Sequence, residues 1–316
     1  SLEKLLTSHD IFVPVKDEYS LDYEPFRPNQ AEHIAYNTPK PATPLKNFFL
    51  PVRENVTSAR NTGRPRIIIG VPNCDVEALG LLDEIYMDEE FNDPFYRNRR
   101  ESTILISSDC YSVNDHCHCT SYGVKPYSMA NADMALLSDG DVIHLRVITG
   151  RGEEFSKQLT SVFAGDGSDH LRYAEKRHQE AEAMLADRNK GLPDYKTTGE
   201  IVQKAGARIW AKYASKCVSC GACTTICPTC SCFLLIDKPD FAKVKQMDAC
   251  QYPGFARVAG GEDALFHLPD RFRNRYMCKY VWKPQKFHSL ACTGCGRCIE
   301  ACIGKISKNE LFMELI

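Results

Sequence analysis

Apolar residues along this chain fall into short runs separated by long polar or proline-rich stretches. Residues 66–70 (RIIIG) form a continuous apolar run closed by glycine, the pattern of a buried strand. Residues 75–86 (DVEALGLLDEIY) place Val76, Leu79, Leu82 and Ile85 at helical spacing and predict an amphipathic helix. Residues 102–107 (STILIS) and 142–149 (VIHLRVIT) read as a second and a third strand. This strand–helix–strand order predicts a small α/β unit over 65–150. Upstream, residues 1–65 carry prolines at 14, 25, 28, 39, 41, 44, 51 and 65 and predict irregular structure.

Downstream the period changes to helical. Residues 170–190 are a polar, Ala/Glu-rich helix, ended by Gly191, Leu192 and Pro193. Residues 201–215 are a second helix, with Ile201, Ala205, Ile209 and Tyr213 in phase. The stretch 217–302 is expected to be mainly helical, and the tail 305–316 helical or irregular. The expected fold is α+β in three parts: an α/β domain over 1–154, a helical linker over 155–200 and an α-helical, ferredoxin-like domain over 201–316.

Composition narrows the class. Lys and Arg total 39 against 41 Asp and Glu, a formal charge of −2, so no basic excess points to nucleic acid. No window reaches the roughly 18 consecutive apolar residues of a spanning helix. Residues 1–10 lack a signal peptide's basic-then-apolar pattern, and a reducing cytoplasm, that of an anaerobe, is expected. The 316 residues include sixteen cysteines, about 5% and below the density of disulfide scaffolds. Ten of them crowd into 217–232 and 292–302, which reads as metal chemistry.

Cys217, Cys220, Cys223 and Cys227 stand as C-x2-C-x2-C-x3-C before Pro228, and Cys292, Cys295, Cys298 and Cys302 repeat the spacing. This is the bacterial signature for [4Fe–4S] cubes, in which the fourth cysteine serves the other motif's cluster. The crossed assignment gives one cluster Cys217, Cys220, Cys223 and Cys302. The other takes Cys292, Cys295, Cys298 and Cys227. Gly221, Gly294 and Gly296 are expected to let backbone N–H groups approach the sulfurs. Zinc is the competing reading, but it usually wants paired CxxC units with four ligands in all.

A third group lies in the α/β unit. Cys74 follows the first predicted strand, and Cys110, Cys117 and Cys119 follow the second. If those strands are parallel neighbours, four thiols converge at one sheet edge, where α/β sheets build sites. They suffice for one more [4Fe–4S] cluster; zinc or a looser set of buried cysteines is the alternative. Asp75, His116 and His118 are read as supporting or surface residues. Of the remaining Cys230, Cys232, Cys250 and Cys278, the first two are expected to pack as small apolar side chains beside a cluster.

Together these segments resemble one family, the iron–sulfur β subunit of cytosolic [NiFe] hydrogenases of the sulfhydrogenase type, with the closely related iron–sulfur subunit of anaerobic sulfite reductase. The resemblance is carried by KNFFLPVREN (46–55), GVPNCDVEALGLLDEIY (70–86), NDPFYRNRRESTILISSDC (92–110), CHCTSYG (117–123), CVSCGACTTICPTCSCF (217–233), FARVAGG (255–261), FRNRYMCKYVWKPQKF (272–287) and CTGCGRCIEAC (292–302). Sixty-four residues separate Cys227 from Cys292, a gap similar to that of α-helical ferredoxin domains in succinate dehydrogenase and heterodisulfide reductase-type subunits. Two positions depart from the family pattern: Cys278 stands where His is commoner, and Ile303 replaces a common proline.

The resemblance implies a third cluster on Cys74, Cys110, Cys117 and Cys119. It also implies a hetero-oligomer with two kinds of partner: a flavin- and NAD(P)-binding reductase subunit, and a hydrogenase or other redox catalytic subunit. The expected role is non-catalytic: relaying single electrons between those partners. An anaerobic sulfite reductase or a heterodisulfide reductase-type bifurcating complex is the alternative setting. A zinc-stabilised interaction module is the alternative of another class. No Gly-rich dinucleotide fingerprint is present. Twelve thiolates and three cubes would take the charge to about −8. Compensating docking-face arginines are expected among Arg97, Arg99, Arg100, Arg271, Arg273 and Arg275.

Overall fold

The computed structural model describes residues 2–57, 63–140, 142–159, 165 and 171–316. A six-stranded sheet carries the N-terminal half, in the order β2-β1-β4-β5-β6-β7. Its strands are β1 (Asp10–Lys16), β2 (Leu21–Pro25), β4 (Arg66–Val71), β5 (Thr103–Ser108), β6 (Met134–Asp139) and β7 (Val142–Val147). Strands β1, β4, β5 and β6 run parallel, and β2 and β7 close the two edges antiparallel. The apolar run of β4 is buried on both faces, as a central parallel strand requires. Ile68 and Val71 pack with Leu105 under the helix Asn73–Tyr86, while Ile67 and Ile69 pack with Val13, Ile106 and Phe155 on the opposite face. Val76, Leu79 and Leu82 of that helix are buried and Ile85 is partly so, matching the predicted stripe.

Three expectations change. The proline-rich start contains β1 and β2. Pro14 is tolerated because β1 pairs with β4 only over Asp10–Phe12, so its missing N–H costs no ladder bond on that side. The stretch between the cysteine motifs is not mainly helical. It opens with the hairpin β8 (Phe233–Asp237) and β9 (Lys243–Met247), which joins β3 (Arg53–Asn55) in a second sheet of order β3-β9-β8. The helix expected over 201–215 is two, Tyr195–Lys204 and Ala207–Ala214, broken where Ala205 and Gly206 adopt extended backbone.

The predicted helix 170–190 is described over Leu171–Arg188, and residue 170 lies outside the described residues. It packs across the loops that follow β5. His178 stacks on Tyr127 with ring centroids 3.7 Å apart and its Nε2 lies 2.7 Å from Asp109. Just beyond the helix, Asn189 Nδ2 donates to Cys117 O. The C-terminal half is held by an aromatic core of Trp210, Tyr213, Phe272, Tyr276, Tyr280 and Phe312. The tail ends in the helix Lys308–Leu315. Among the described residues no helix is long and apolar enough to cross a membrane.

Candidate metal centre

Strands β4 and β5 are parallel neighbours, so the loops after them leave at the same sheet edge. Cys74 begins the helix after β4, and Cys110, Cys117 and Cys119 lie on the long loop after β5. These four line one cavity, closed on the far side by Gly294 and Cys295 of the second cysteine motif. A second cavity is lined by Cys227, Cys292, Cys295 and Cys298, and a third by Cys217, Cys220, Cys223 and Cys302, with Cys298 on its wall. Each group of four set out from spacing therefore surrounds one space. Cys295 borders two of the spaces and Cys298 borders two, so the cavities stand in a row with the Cys227/Cys292 cavity in the middle.

The sulfurs stand around these spaces and do not converge on a point. Among the described residues, no three His, Cys, Asp or Glu side chains lie close enough to hold one metal ion. A single zinc needs four donors within about 2.3 Å. Sulfurs spread around a cavity fit a cluster of several irons, each taking one thiolate.

The electrostatics point the same way. Lys46, Arg275, Lys279 and Lys308 are buried, and among the described residues none has a carboxylate within ion-pair distance. Buried cations without a counter-charge are costly, so an anion has to face them. Lys279 Nζ lies 3.0 Å from Cys227 Sγ and also donates to Thr229 Oγ1 and Ala291 O. Burial alone would discharge Lys279, but the sulfurs of Cys227, Cys230 and Cys292 outweigh it and hold its pKa well above the usual value. Arg275 is kept charged in the same way, against burial, by Cys223 and Cys298.

The thiols respond in turn. A hydrogen bond from Cys230, with the charges of Lys279 and Lys46, holds Cys227 well below the ordinary thiol range despite its burial. Burial pushes Cys292 up, but Lys308 and Lys279 outweigh it and the net shift is down. Elsewhere burial dominates: Cys223 and Cys119 are pushed up to about 12. Backbone N–H groups of Ser219 and Ile306 donate to Cys217 Sγ and Cys302 Sγ at 3.5 and 3.3 Å.

Gly294 and Gly296 have a reason beyond the one expected. Both have positive φ, and a Cβ on Gly294 would lie 2.6 Å from the Cys119 backbone, while one on Gly296 would strike the His116 carbonyl. They let the second motif seat directly on the loop after β5, where His118 N donates to Gly294 O.

A buried ion pair fastens the same junction. Arg297 gives bidentate bonds to Asp75, 2.5 and 2.8 Å, and further bonds to Pro41 O. Asp75, His116 and His118 do not line the Cys74/Cys110/Cys117/Cys119 cavity, whereas His118 lines the middle one. Asp75 holds Arg297, and His118, whose pKa burial lowers with Lys308 adding to the effect, accepts from Lys308 Nζ at 2.7 Å. Lys40 Nζ bridges Cys117 Sγ, 3.6 Å, and Glu300, 2.7 Å.

The expected docking-face arginines are mostly engaged inside the chain. Arg97, Arg99 and Arg100 pair with Glu101, Glu54 and Asp83. Arg271 is buried against backbone carbonyls and Arg275 against the sulfurs, and Arg273 is half-buried. Compensation for thiolate charge is internal, from lysines that the cysteine spacing gave no reason to single out.

Comparison with known proteins agrees with this chemistry. Residues 216–306 match the family described as a 4Fe-4S dicluster domain. No solved structure matches the chain. A curated relative, sulfhydrogenase 2 subunit beta of Pyrococcus furiosus, is 30% identical over 322 residues, covering 96% of this chain and 92% of the relative. With [4Fe–4S]-type motifs, matching cavities and this end-to-end similarity, the chain belongs to the family of iron–sulfur β subunits of sulfhydrogenase-type hydrogenases.

Proposed function

We propose that this chain is a non-catalytic electron relay: single electrons pass along three [4Fe–4S] clusters between a flavin- and nicotinamide-binding partner and a [NiFe] hydrogenase module. The observation that carries the reading is the row of three four-cysteine cavities, adjacent ones sharing Cys298 and Cys295 as walls. In it Cys217, Cys220, Cys223 and Cys302 hold the first cluster, and Cys227, Cys292, Cys295 and Cys298 the middle one. Cys74, Cys110, Cys117 and Cys119 hold the third. The relative's name supports hydrogenase as the setting. The domain reading that goes with it is 1–154, 155–200 and 201–316.

When bound, each cluster supplies a one-electron change between its 2+ and 1+ core states. The polypeptide's part is to fix spacing, exclude water and set charge. Tyr276, Phe272 and Ile306 wall the first cavity, and Lys279 and Lys308 lie on the second. Positive charge beside a thiolate-bound core favours its reduced, more negative form.

The crossed ligation is tested by Cys227→Ser. In oxygen-free preparations the wild-type chain should be brown, with at least about 12 iron and matching sulfide. The variant should perturb the EPR signal of the cluster whose other ligands are Cys292, Cys295 and Cys298. Damage confined to the Cys217/Cys220/Cys223 cluster contradicts the crossing, and colourless, zinc-containing protein contradicts the relay altogether.

A further inference from the structure

Lys308 begins the last helix, Lys308–Leu315, and is 2% exposed. Its Nζ donates to His118 Nε2 at 2.7 Å and to Tyr122 Oη at 3.0 Å. The rings of Tyr122, Tyr280 and Phe312 lie around the same ammonium, with centroids 4.8, 5.7 and 5.5 Å away. Among the described residues no carboxylate is within ion-pair distance of it. Each of these partners is neutral. His118 is neutral because both ring nitrogens have a fixed role: Nε2 accepts from the ammonium, so Nδ1, 2.7 Å from His116 O, carries the proton and donates. Aromatic faces and neutral acceptors hold a cation in place without cancelling its charge.

That charge faces two cavities. Lys308 lines both the Cys217/Cys220/Cys223/Cys302 cavity and the middle one of Cys227, Cys292, Cys295 and Cys298. Arg275 borders the same two, while Lys279 borders the middle one. Lys308 differs from Arg275 in being tied to the third cysteine group as well. Its partner His118 is fully buried, stands in the chain between Cys117 and Cys119, and lines the middle cavity. The His118 backbone N donates to Gly294 O, and its side chain is not part of the Cys74/Cys110/Cys117/Cys119 lining. The loop that brings two thiols to the third site therefore sends one side chain elsewhere, onto the cation of the other two. Burial opposes the charge on Lys308, but Tyr122 and the sulfurs of Cys292 and Cys298 outweigh it, and its pKa is raised.

We infer that Lys308 is a shared counter-cation of the first and middle clusters, and that His118 is its positioning residue. A reduced cluster carries one more negative charge than an oxidised one, so a cation bordering two clusters stabilises the added electron on either. Passage from one to the other then does not leave the cation behind. The inference deepens the relay reading and rests on it, and the test keeps the two apart.

Midpoint potentials are read by EPR-monitored redox titration of the full-length chain after anaerobic reconstitution, the signals being assigned with Cys220→Ser, Cys292→Ser and Cys110→Ser. Lys308→Met should make the first and middle clusters each about tenfold harder to reduce, about 59 mV for a one-electron couple, and leave the third unmoved. His118→Leu should shift the same two signals by less and spare the third, although position 118 lies between two thiols of the third site. His118→Gln, which keeps an acceptor for the ammonium, should stay at the wild-type potentials. Wild-type potentials in Lys308→Met, or a shift confined to one cluster, overturn the shared cation. A His118→Leu effect that is absent, confined to the third cluster or not rescued by His118→Gln overturns the positioning role. If Lys308→Met does not take up clusters, the His118 pair decides alone: unmoved first and middle signals in His118→Leu overturn the inference. A wild-type chain without iron or sulfide overturns the relay reading itself.

Discussion

The two halves of the molecule solve the problem of a stable interior differently. Around the sheet, Ile67, Ile68, Leu79 and Leu105 are fully buried among other apolar side chains, and buried charges such as Asp133 meet a partner, here Arg151. The cysteine-rich half also has an apolar core, but its centre contains cavities walled by sulfur and faced by Lys279, Lys308 and Arg275, which have no carboxylate within ion-pair distance among the described residues. Away from the Cys74/Cys110/Cys117/Cys119 cavity at the sheet edge, the first arrangement is complete in its own side chains. The second is complete only with an anionic occupant, because uncompensated buried cations oppose folding. The comparison teaches that cluster binding and folding are linked in the cysteine-rich half and nearly independent in the apolar core of the sheet.

That contrast has measurable consequences. The largest concerns cluster removal. Oxidative bleaching with a chelator should cost the 195–316 region at least about 5 kcal/mol and abolish its amide-exchange protection, while β4 and β5 stay protected. Uniform loss of protection in both halves would break the distinction. Next is the joint between the halves. Asp75→Asn leaves Arg297 buried without its partner and should lower stability by about 3–5 kcal/mol in denaturant titrations of the holo-protein, where a surface ion pair would cost under about 1. The smallest sharpens the electrostatic half of the comparison. Lys279→Met removes a cation 3.0 Å from Cys227 Sγ and should lower the midpoint potential of the middle cluster by roughly 50–100 mV, the equivalent of 1–2 kcal/mol. A potential that does not move would show that the lysine serves packing alone.

Much of this was legible in the sequence, for physical reasons that also explain what was not. β4, its following helix and β5 announced themselves because a buried parallel strand must be apolar on both faces and an amphipathic helix must repeat every 3.6 residues. The cysteine groups were legible because a cube imposes fixed ligand spacing. β1 was hidden by Pro14, which looks like a strand breaker until the limited pairing with β4 is known. β8 and β9 were hidden because Phe233, Leu234 and Leu235 are largely exposed, so no one-sided pattern marks them. Lys46, Lys279 and Lys308 left no spacing signal, since each reaches the sulfurs from a different element. Arg297 and Asp75 did leave one: a charge set beside grouped cysteines, in CGRC and NCDV, is a reason to look for a buried pair.

The row itself is best tested by the EPR spectrum of the fully reduced holo-protein. Clusters filling cavities that share Cys295 and Cys298 as walls would be close enough for their unpaired spins to interact, so on the proposed reading the spectrum should be broadened and split beyond a sum of isolated signals, and should simplify on partial reduction. Independent signals that add without interaction at every stage of reduction would contradict a continuous path through this chain.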